Sequence, residues 1–401
     1  MQSSAQITKS DTIVLPLLPF ELYRDVVENV KDVALLRLLS SISPSFQKEC
    51  ERILWRYVSL KPPVAPWSSG TCQSLFARTK ILSGDRAKYV RSLDLAGSPT
   101  SVPISKVAFQ YFRPALQQMT RITTLRIRSL DMSSPDGTPL IFPSLIHLSC
   151  QTSFNISLLR FMKANPTIQS LYLECASTNV SIDEYYSSAE PEIQSEMDSI
   201  LSTPLFPELD TLSICSTYVP SVLWKLGPVR HLTIKFDEFA RRSPEMLFNY
   251  YLNCRKRDIP SLKTLRIYGL SDTYYNRIFE TLYLSFPNLE DLGGVTTSSA
   301  TIDHLITMLS TFPHLHRLEA LYDSPITTSS EFVDLSNRFG DLSTVLKDIT
   351  IWSLDSSGAF FVRWDGKRDG SQEAGWDVQR SEASSREEEV SSAALPKDWT
   401  G

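Results

Sequence analysis

The chain has 401 residues, 42% of them hydrophobic and 21% charged, with a formal net charge of −5. These are the proportions of an ordinary globular protein, and they exclude fibrous, collagen-like and membrane-embedded classes. The acidic balance argues against nucleic acid as a partner, and only 14 glycines argue against a nucleotide-binding fold.

Residues 1–13 are polar and are expected to be disordered. The apolar run from Ile13 to Leu18 is short and contains Pro16, so neither a signal peptide nor a spanning helix is expected, and a cytoplasmic or nuclear location follows by default. Across residues 14–60 the spacing predicts three short helices. Leu22, Val26, Val27 and Val30 form one stripe, with Pro19 at a first-turn position where its missing N–H does no harm. A second helix through Leu35 to Leu39 carries more aliphatic residues than one face of a small bundle needs. The third, from about Ser45 to Trp55, presents Phe46, Ile53 and Leu54, with Pro44 placed to start it. So small a core must lean on a partner.

This stretch resembles the F-box, the motif through which substrate receptors dock onto the Skp adaptor of a cullin-RING ubiquitin ligase. Leu18, Pro19, Glu21 and Leu22 are similar to the family's L-P-x-E-L opening, Val26 and Val27 to its helix-one aliphatics, and Leu36 to its middle leucine. Ile42, Ser43 and Phe46 fall where the family has V-S or V-C and then an aromatic, while Leu54, Trp55 and Arg56 resemble its closing L-W-R. Ser41 stands where an apolar residue is common, and Pro44 replaces the usual basic residue. The resemblance implies a Skp-binding surface of Leu18, Pro19, Leu22, Val26, Val27, Leu36, Ile42, Phe46, Leu54 and Trp55. On the residues alone, the same helices could instead cap the end of a repeat core.

Pro62, Pro63, Pro66 and Gly70 mark residues 61–71 as a linker. From 72 to 358 one phrase keeps returning, a proline with leucines two and five residues on: Pro143, Leu145, Leu148; Pro207, Leu209, Leu212; Pro260, Leu262, Leu265; Pro287, Leu289, Leu292; Pro313, Leu315, Leu318. Pro166, Ile168 and Leu171 are a close variant, and looser copies end in Leu93 and Leu95, Leu125 and Ile127, Leu232 and Ile234, and Ile349 and Ile351. The alternation at each end predicts a short strand with one core face, and the proline, which cannot donate to a ladder, belongs before it. Helical spacing lies between the strands, at Ile156 to Met162, Met197 to Leu201, Met246 to Tyr250, Ile278 to Leu282 and Ile302 to Leu309, with Ser243 and Asp272 as candidate caps.

A strand, a helix and a loop per repeat resembles the leucine-rich-repeat horseshoe over roughly residues 89 to 352, but with repeats of about 20 to about 41 residues instead of about 20–29, and without the usual asparagine. The expected fold class is α/β: a small N-terminal three-helix F-box-like bundle, then an irregular leucine-rich-repeat solenoid with parallel strands on its concave face and helices on its convex face. Side chains flanking the strand leucines should line the concave face: Arg126, Arg128, Tyr172, Glu174, Lys235, Asp237, Arg266, Tyr268, Glu319 and Trp352. Mixed charges with aromatics suit a protein substrate better than a polyanion. Residues 359–378, with a glycine-bounded turn from Gly366 to Gly370, predict a hairpin closing the core, and 379–401 a disordered tail.

No catalytic or phosphate-binding motif occurs in the chain. The 6 cysteines, Cys50, Cys72, Cys150, Cys175, Cys215 and Cys254, form no C-x-x-C pair, so free thiols are expected. His314 and His316 would share a strand face but lack further ligands, so no metal is expected, nor any cofactor. Arg255, Lys256 and Arg257 read as a solvated helix end. The expected function is non-catalytic: a substrate receptor joined through the Skp adaptor to a cullin and holding an unidentified protein substrate on its repeats, without nucleic acid or membrane. The alternative is a stand-alone repeat scaffold.

Overall fold

The computed structural model describes residues 19–59, 84–95, 113–128, 138–151, 155–174, 189–215, 227–236, 261–269, 282, 286–342, 345–354, 361–368 and 376–383. Three helices come first, α1 (Phe20–Glu28), α2 (Val33–Ser40) and α3 (Pro44–Leu54). One sheet comes next: β1 (Tyr57–Ser59), β2 (Ser92–Asp94), β3 (Thr124–Arg128), β4 (His147–Gln151), β5 (Ser170–Glu174), β6 (Thr211–Cys215), β7 (His231–Lys235), β8 (Thr264–Tyr268), β9 (Asp291–Thr297), β10 (Arg317–Tyr322), β11 (Asp348–Leu354), β12 (Phe361–Arg368) and β13 (Trp376–Ala383). Helices α4 (Ile156–Ala164), α5 (Pro191–Ile200), α6 (Ile302–Leu309) and α7 (Ser329–Leu342) lie between strands, and a 3-10 helix (Gly84–Tyr89) precedes β2.

The strands lie side by side in chain order. Pairing is parallel from β1 to β11 and antiparallel from β11 through β13. The parallel stretch from β1 to β11 is solenoid-like, because each strand pairs in parallel with the next in sequence. Register puts Val58, Leu93, Leu125, Leu148, Leu171, Leu212, Leu232, Leu265, Leu292, Leu318 and Ile349 in one buried column. Against that face pack Leu158, Leu159, Phe161 and Met162 of α4, Met197 and Ile200 of α5, and Ile302, Leu305, Ile306 and Leu309 of α6. Each such side chain contributes about 1.5–3 kcal/mol by leaving water, and the helices therefore stay on the leucine side.

A backbone ladder holds the strand starts together. The Arg56 carbonyl accepts the N–H groups of Arg91 and Ser92, the Arg91 carbonyl those of Thr123 and Thr124, and the pattern continues to the His316 carbonyl, which accepts from Lys347 and Asp348. Among the described residues the repeated proline stands in the turn just before, and a phenylalanine precedes it in four copies, Phe142, Phe206, Phe286 and Phe312, all buried. Their carbonyls accept from Leu145, Leu209, Leu289 and Leu315, closing the turn that aims each strand. Where Pro166 follows Asn165 instead, that side chain is buried and accepts from Phe142 N–H at 2.6 Å while donating to the carbonyls of Leu140 (2.9 Å) and Phe161 (2.8 Å).

Several boundaries differ from expectation. The sheet begins at Tyr57, inside the stretch assigned to the helical unit, because β1 pairs with Ser92, Leu93 and Asp94 of β2. Gly366 lies within β12, paired with Ile349 and Val378, and not in a turn; glycine suits the position because a Cβ there would stand 2.9 Å from Phe332 and 3.2 Å from Trp376. Strand β13 runs to Ala383, past the expected start of the tail, because backbone pairing with β12 sustains the edge strand beyond its core residues Trp376 and Val378 into the mostly polar stretch from Gln379. His314 and His316 lie in the turn before β10 and do not share a strand face. The expected linker at 61–71, the helix at Met246 to Tyr250, the caps Ser243 and Asp272, the cluster Arg255 to Arg257, and Cys72, Cys175 and Cys254 lie outside the described residues.

Candidate interaction surfaces

The first surface belongs to the helical unit. Asp32 caps α2 by accepting from Ala34 N–H at 2.8 Å, and Ser43 caps α3 by accepting from Phe46 N–H, with Pro44 at the first turn. Val27, Leu36 and Cys50 make the core, flanked by Val30, Leu39, Phe46, Ile53 and Leu54, with the Tyr23 and Phe46 rings edge to face at 4.8 Å. Arg52 donates to the buried Glu49 (2.9 Å) and to Glu28 of α1 (2.6 Å), tying α1 to α3.

Outside this core, Leu22, Val26, Val33, Leu35, Leu38 and Ile42 remain between 43% and 63% exposed. Water is a poor environment for that much aliphatic surface on two short helices. Of the adaptor-binding residues expected from the sequence, Pro19, Leu22, Val26 and Ile42 are on this exposed side. Val27 and Leu36 are a correction: they fill the bundle's own core, because the inward stripe of α1 is Tyr23 and Val27. Phe46 and Leu54 pack on that core, and Trp55 packs on the solenoid core, with the Arg86 guanidinium 5.4 Å from its ring. Leu18 lies outside the described residues. Val33, Leu35 and Leu38 are not assigned to this surface by the sequence reading, although the surplus of aliphatics in α2 is the signal that marks them.

The second surface is the sheet face opposite the helices. Register places Arg126, Tyr172 and Arg266 in one column, with Ser149, Ser213 and Thr233 between them. Gly293 follows on β9, and Glu319 shares this side of β10. Arg128 and Gln151, Lys235 and Tyr268, and Trp352 beside Leu321 lie one step further along the strands, as does Glu174. Asp237 lies outside the described residues. Tyr172, Glu319 and Trp352 are buried within this face and do not project from it. Burial pushes the Tyr172 hydroxyl up to about 12.

Arg266 reaches across β9 to Glu319 on β10, with a donor–acceptor distance of 3.0 Å, and stands 3.5 Å from Asp291. Gly293 makes this reach possible: a Cβ there would stand 3.1 Å from Arg266 Cγ and 3.3 Å from Glu319 Oε2. Burial works against the Arg266 charge, but Glu319, Tyr268 and Asp291 outweigh it and hold its pKa above the usual arginine range. Toward the C-terminus, Asp365 accepts from Thr350 (2.7 Å) and Arg363 (2.8 Å), and the Arg363 guanidinium lies 5.6 Å from the Trp352 ring.

Among the described residues no group of three or more His, Cys, Asp or Glu could hold a metal ion, Cys50, Cys150 and Cys215 are free and buried, and no helix is long and apolar enough to cross a membrane. Asp210, His231 and Thr264 form an acid–imidazole–hydroxyl series at the strand starts, with His231 3.0 Å from Thr264 and 3.7 Å from Asp210. The longer distance is too great for a hydrogen bond orienting a general base.

No protein-family model matches the chain, and no curated protein matches it. Among solved structures, a chain of the crystal structure of the Rad7 and Elc1 complex in yeast is similar, with a TM-score of 0.33 and 12% identity over 82% of this chain and 85% of that one. At that level no argument about function passes between them.

Proposed function

We propose that this chain is a non-catalytic receptor that docks the Skp adaptor of a cullin-RING ubiquitin ligase through α1 and α2, and holds a protein substrate on its sheet face. The observation that carries the reading is the exposed aliphatic face of Leu22, Val26, Leu35, Leu38 and Ile42 on a unit whose own core is already filled. Such a face is stabilised by a partner that removes it from water. The chain supplies no reacting group. Its effect is proximity, because tethering raises the local concentration of substrate lysines near the ubiquitin-charged enzyme. That role belongs to the cytosol or nucleus.

The second reading, a scaffold whose helices only cap the solenoid, is favoured by one contact, the Arg86 to Glu51 ion pair at 2.8 Å beside Trp55. Co-purification of the full chain with the Skp adaptor separates the two. Wild type should give a stoichiometric complex, and the double variant Leu22→Asp with Val26→Asp should lose it while remaining folded, since both side chains already face solvent. A folded wild type that never retains the adaptor would reject the receptor reading.

A further inference from the structure

Toward the C-terminus, polar side chains of the sheet face answer one another. Arg266 donates to Glu319 at 3.0 Å, and Asp365 accepts from Thr350 at 2.7 Å and from Arg363 at 2.8 Å. The hydroxyls at the end of β9 are used as well, with Thr301 3.3 Å from Thr297 and 2.9 Å from Ser298. From β4 to β7 the pattern stops. Parallel register sets Ser149, Tyr172, Ser213 and Thr233 level on four successive strands. Among the described residues none of these four hydroxyls has a hydrogen-bond partner.

Ser149, Tyr172 and Ser213 are only 5%, 9% and 7% exposed. Polar groups buried to that degree nearly always have a partner, and a hydroxyl left without one weakens the fold. Three in line, each nine-tenths or more buried, point to a ligand that supplies the missing bonds. Gln151 and Lys235, two residues further along β4 and β7, are partly exposed and leave the row open on that side.

The row itself carries no charge, since Arg126 on β3 and Arg266 on β8 are the charged residues that bound it. A charged ligand group set there would lose its hydration with no counter-charge, and an apolar one would leave the hydroxyls unpaired. An amide side chain suits the row because, like a hydroxyl, it both donates and accepts. Spacing then selects the shape of the ligand. Neighbouring strands stand about 4.8 Å apart, so the four positions span about 14 Å. An extended peptide laid across them presents same-side residues about 6.8 Å apart and falls out of step at once. An α-helix presents residues i, i+4, i+7 and i+11 on one side over about 16 Å, and a tilt of about 30° brings them level with the strands.

We propose that Ser149, Tyr172, Ser213 and Thr233 bind Asn or Gln side chains spaced along one face of an α-helix of the protein substrate. This rests on the reading of the sheet face as the substrate surface and not on the adaptor's identity.

The test titrates the full chain, by fluorescence anisotropy, with a labelled alanine-rich helical peptide of about 20 residues carrying Gln at four such positions. Matched peptides carry Leu, Glu or Lys there, and cellohexaose is run as a neutral hydroxyl-rich competitor. The Gln peptide should bind at least ~10-fold more tightly than each of the others. The double variant Ser149→Ala with Ser213→Ala should lose that preference. It should also melt no lower than wild type, because the hydroxyls it removes have no partner in the fold. Thr350→Val should do the reverse, melting lower because Asp365 loses its donor while the preference is kept. Equal binding of the four peptides, an unchanged preference in the double variant, a double variant that melts lower, or cellohexaose displacing the Gln peptide would each overturn the proposal. A Leu, Glu or Lys peptide that bound most tightly and was lost in the double variant would overturn the amide chemistry and keep the sheet face as the substrate surface. Failure of wild type to retain the adaptor would reject the docking reading and leave this one standing.

Discussion

Replacing Arg266 tests whether the sheet face is organised as the geometry indicates. Arg266→Gln removes the cation shared by Glu319 and Asp291, whose side chains are 8% and 18% exposed. Stranding a buried carboxylate costs about 3–5 kcal/mol, and the partial exposure of Arg266 places the loss near the lower end, about 3 kcal/mol. Glu319→Gln is milder, at about 1–2 kcal/mol, because Arg266 keeps Asp291 at 3.5 Å and some water. Urea unfolding followed by circular dichroism reads both. Equal losses in the two variants would refute the reasoning.

Asn165→Ala leaves Phe142 N–H and the carbonyls of Leu140 and Phe161 without partners, at about 1–3 kcal/mol for each group that water does not reach. It should therefore cost several times the ~1 kcal/mol of Asn155→Ala, which removes only the α4 cap to Leu158, and parallel urea melts would show whether it does. Burial, with the Glu174 charge second, pushes the Cys150 thiol up to about 12, so alkylation mapped by mass spectrometry should miss Cys150 in native protein and find it after denaturation. The hydrogen bond from Arg86 holds the Glu51 carboxyl below its ordinary value of 4.5. A depressed folded pKa contributes stability that is full above the ordinary value and is lost as pH falls through the lower one, so Glu51→Gln should be destabilised at neutral pH and match wild type in strong acid.

The strands are legible in the sequence because burial and periodicity agree there: Leu148 with Cys150, or Leu265 with Ile267, face the core as their alternation says. The turn before each strand is only half legible. Phe142, Phe206, Phe286 and Phe312 carry as much of it as the prolines, but the preceding position shows no alternation and so gives no periodic signal. In α1 the apolar spacing points to Leu22 and Val26 as well as Val27, whereas Tyr23 and Val27 face inward. Tyr23 is an aromatic with a polar tip, and such a residue does not stand out as core beside two aliphatics that are in fact exposed. The reach of Arg266 across Gly293 is out of view from the sequence, since it depends on which residues the parallel register brings level on β8, β9 and β10.

The receptor and cap readings divide the helical unit between them instead of competing for all of it. Capping is done by α3 and the two residues that join it to β1: Trp55 packs on the solenoid core, Glu51 pairs with Arg86, and the Arg56 carbonyl starts the ladder that Arg91 and Ser92 join. Nothing in that task calls on Leu22, Val26, Leu35, Leu38 or Ile42, which a cap would be expected to carry as polar residues. Because only Trp55 and Arg56 lie between α3 and β1, and β1 is hydrogen-bonded into the sheet, the exposed helical face is held in fixed relation to the strands. On the receptor proposal, a flexible joint would let a bound substrate sample many positions relative to an adaptor, and an ordered one would select few. On the same proposal, inserting a short Gly-Ser stretch between Arg56 and Tyr57 should therefore leave adaptor binding intact and lower ubiquitin transfer to a bound substrate. If transfer were instead unchanged, the ordered joint would have no part in the function.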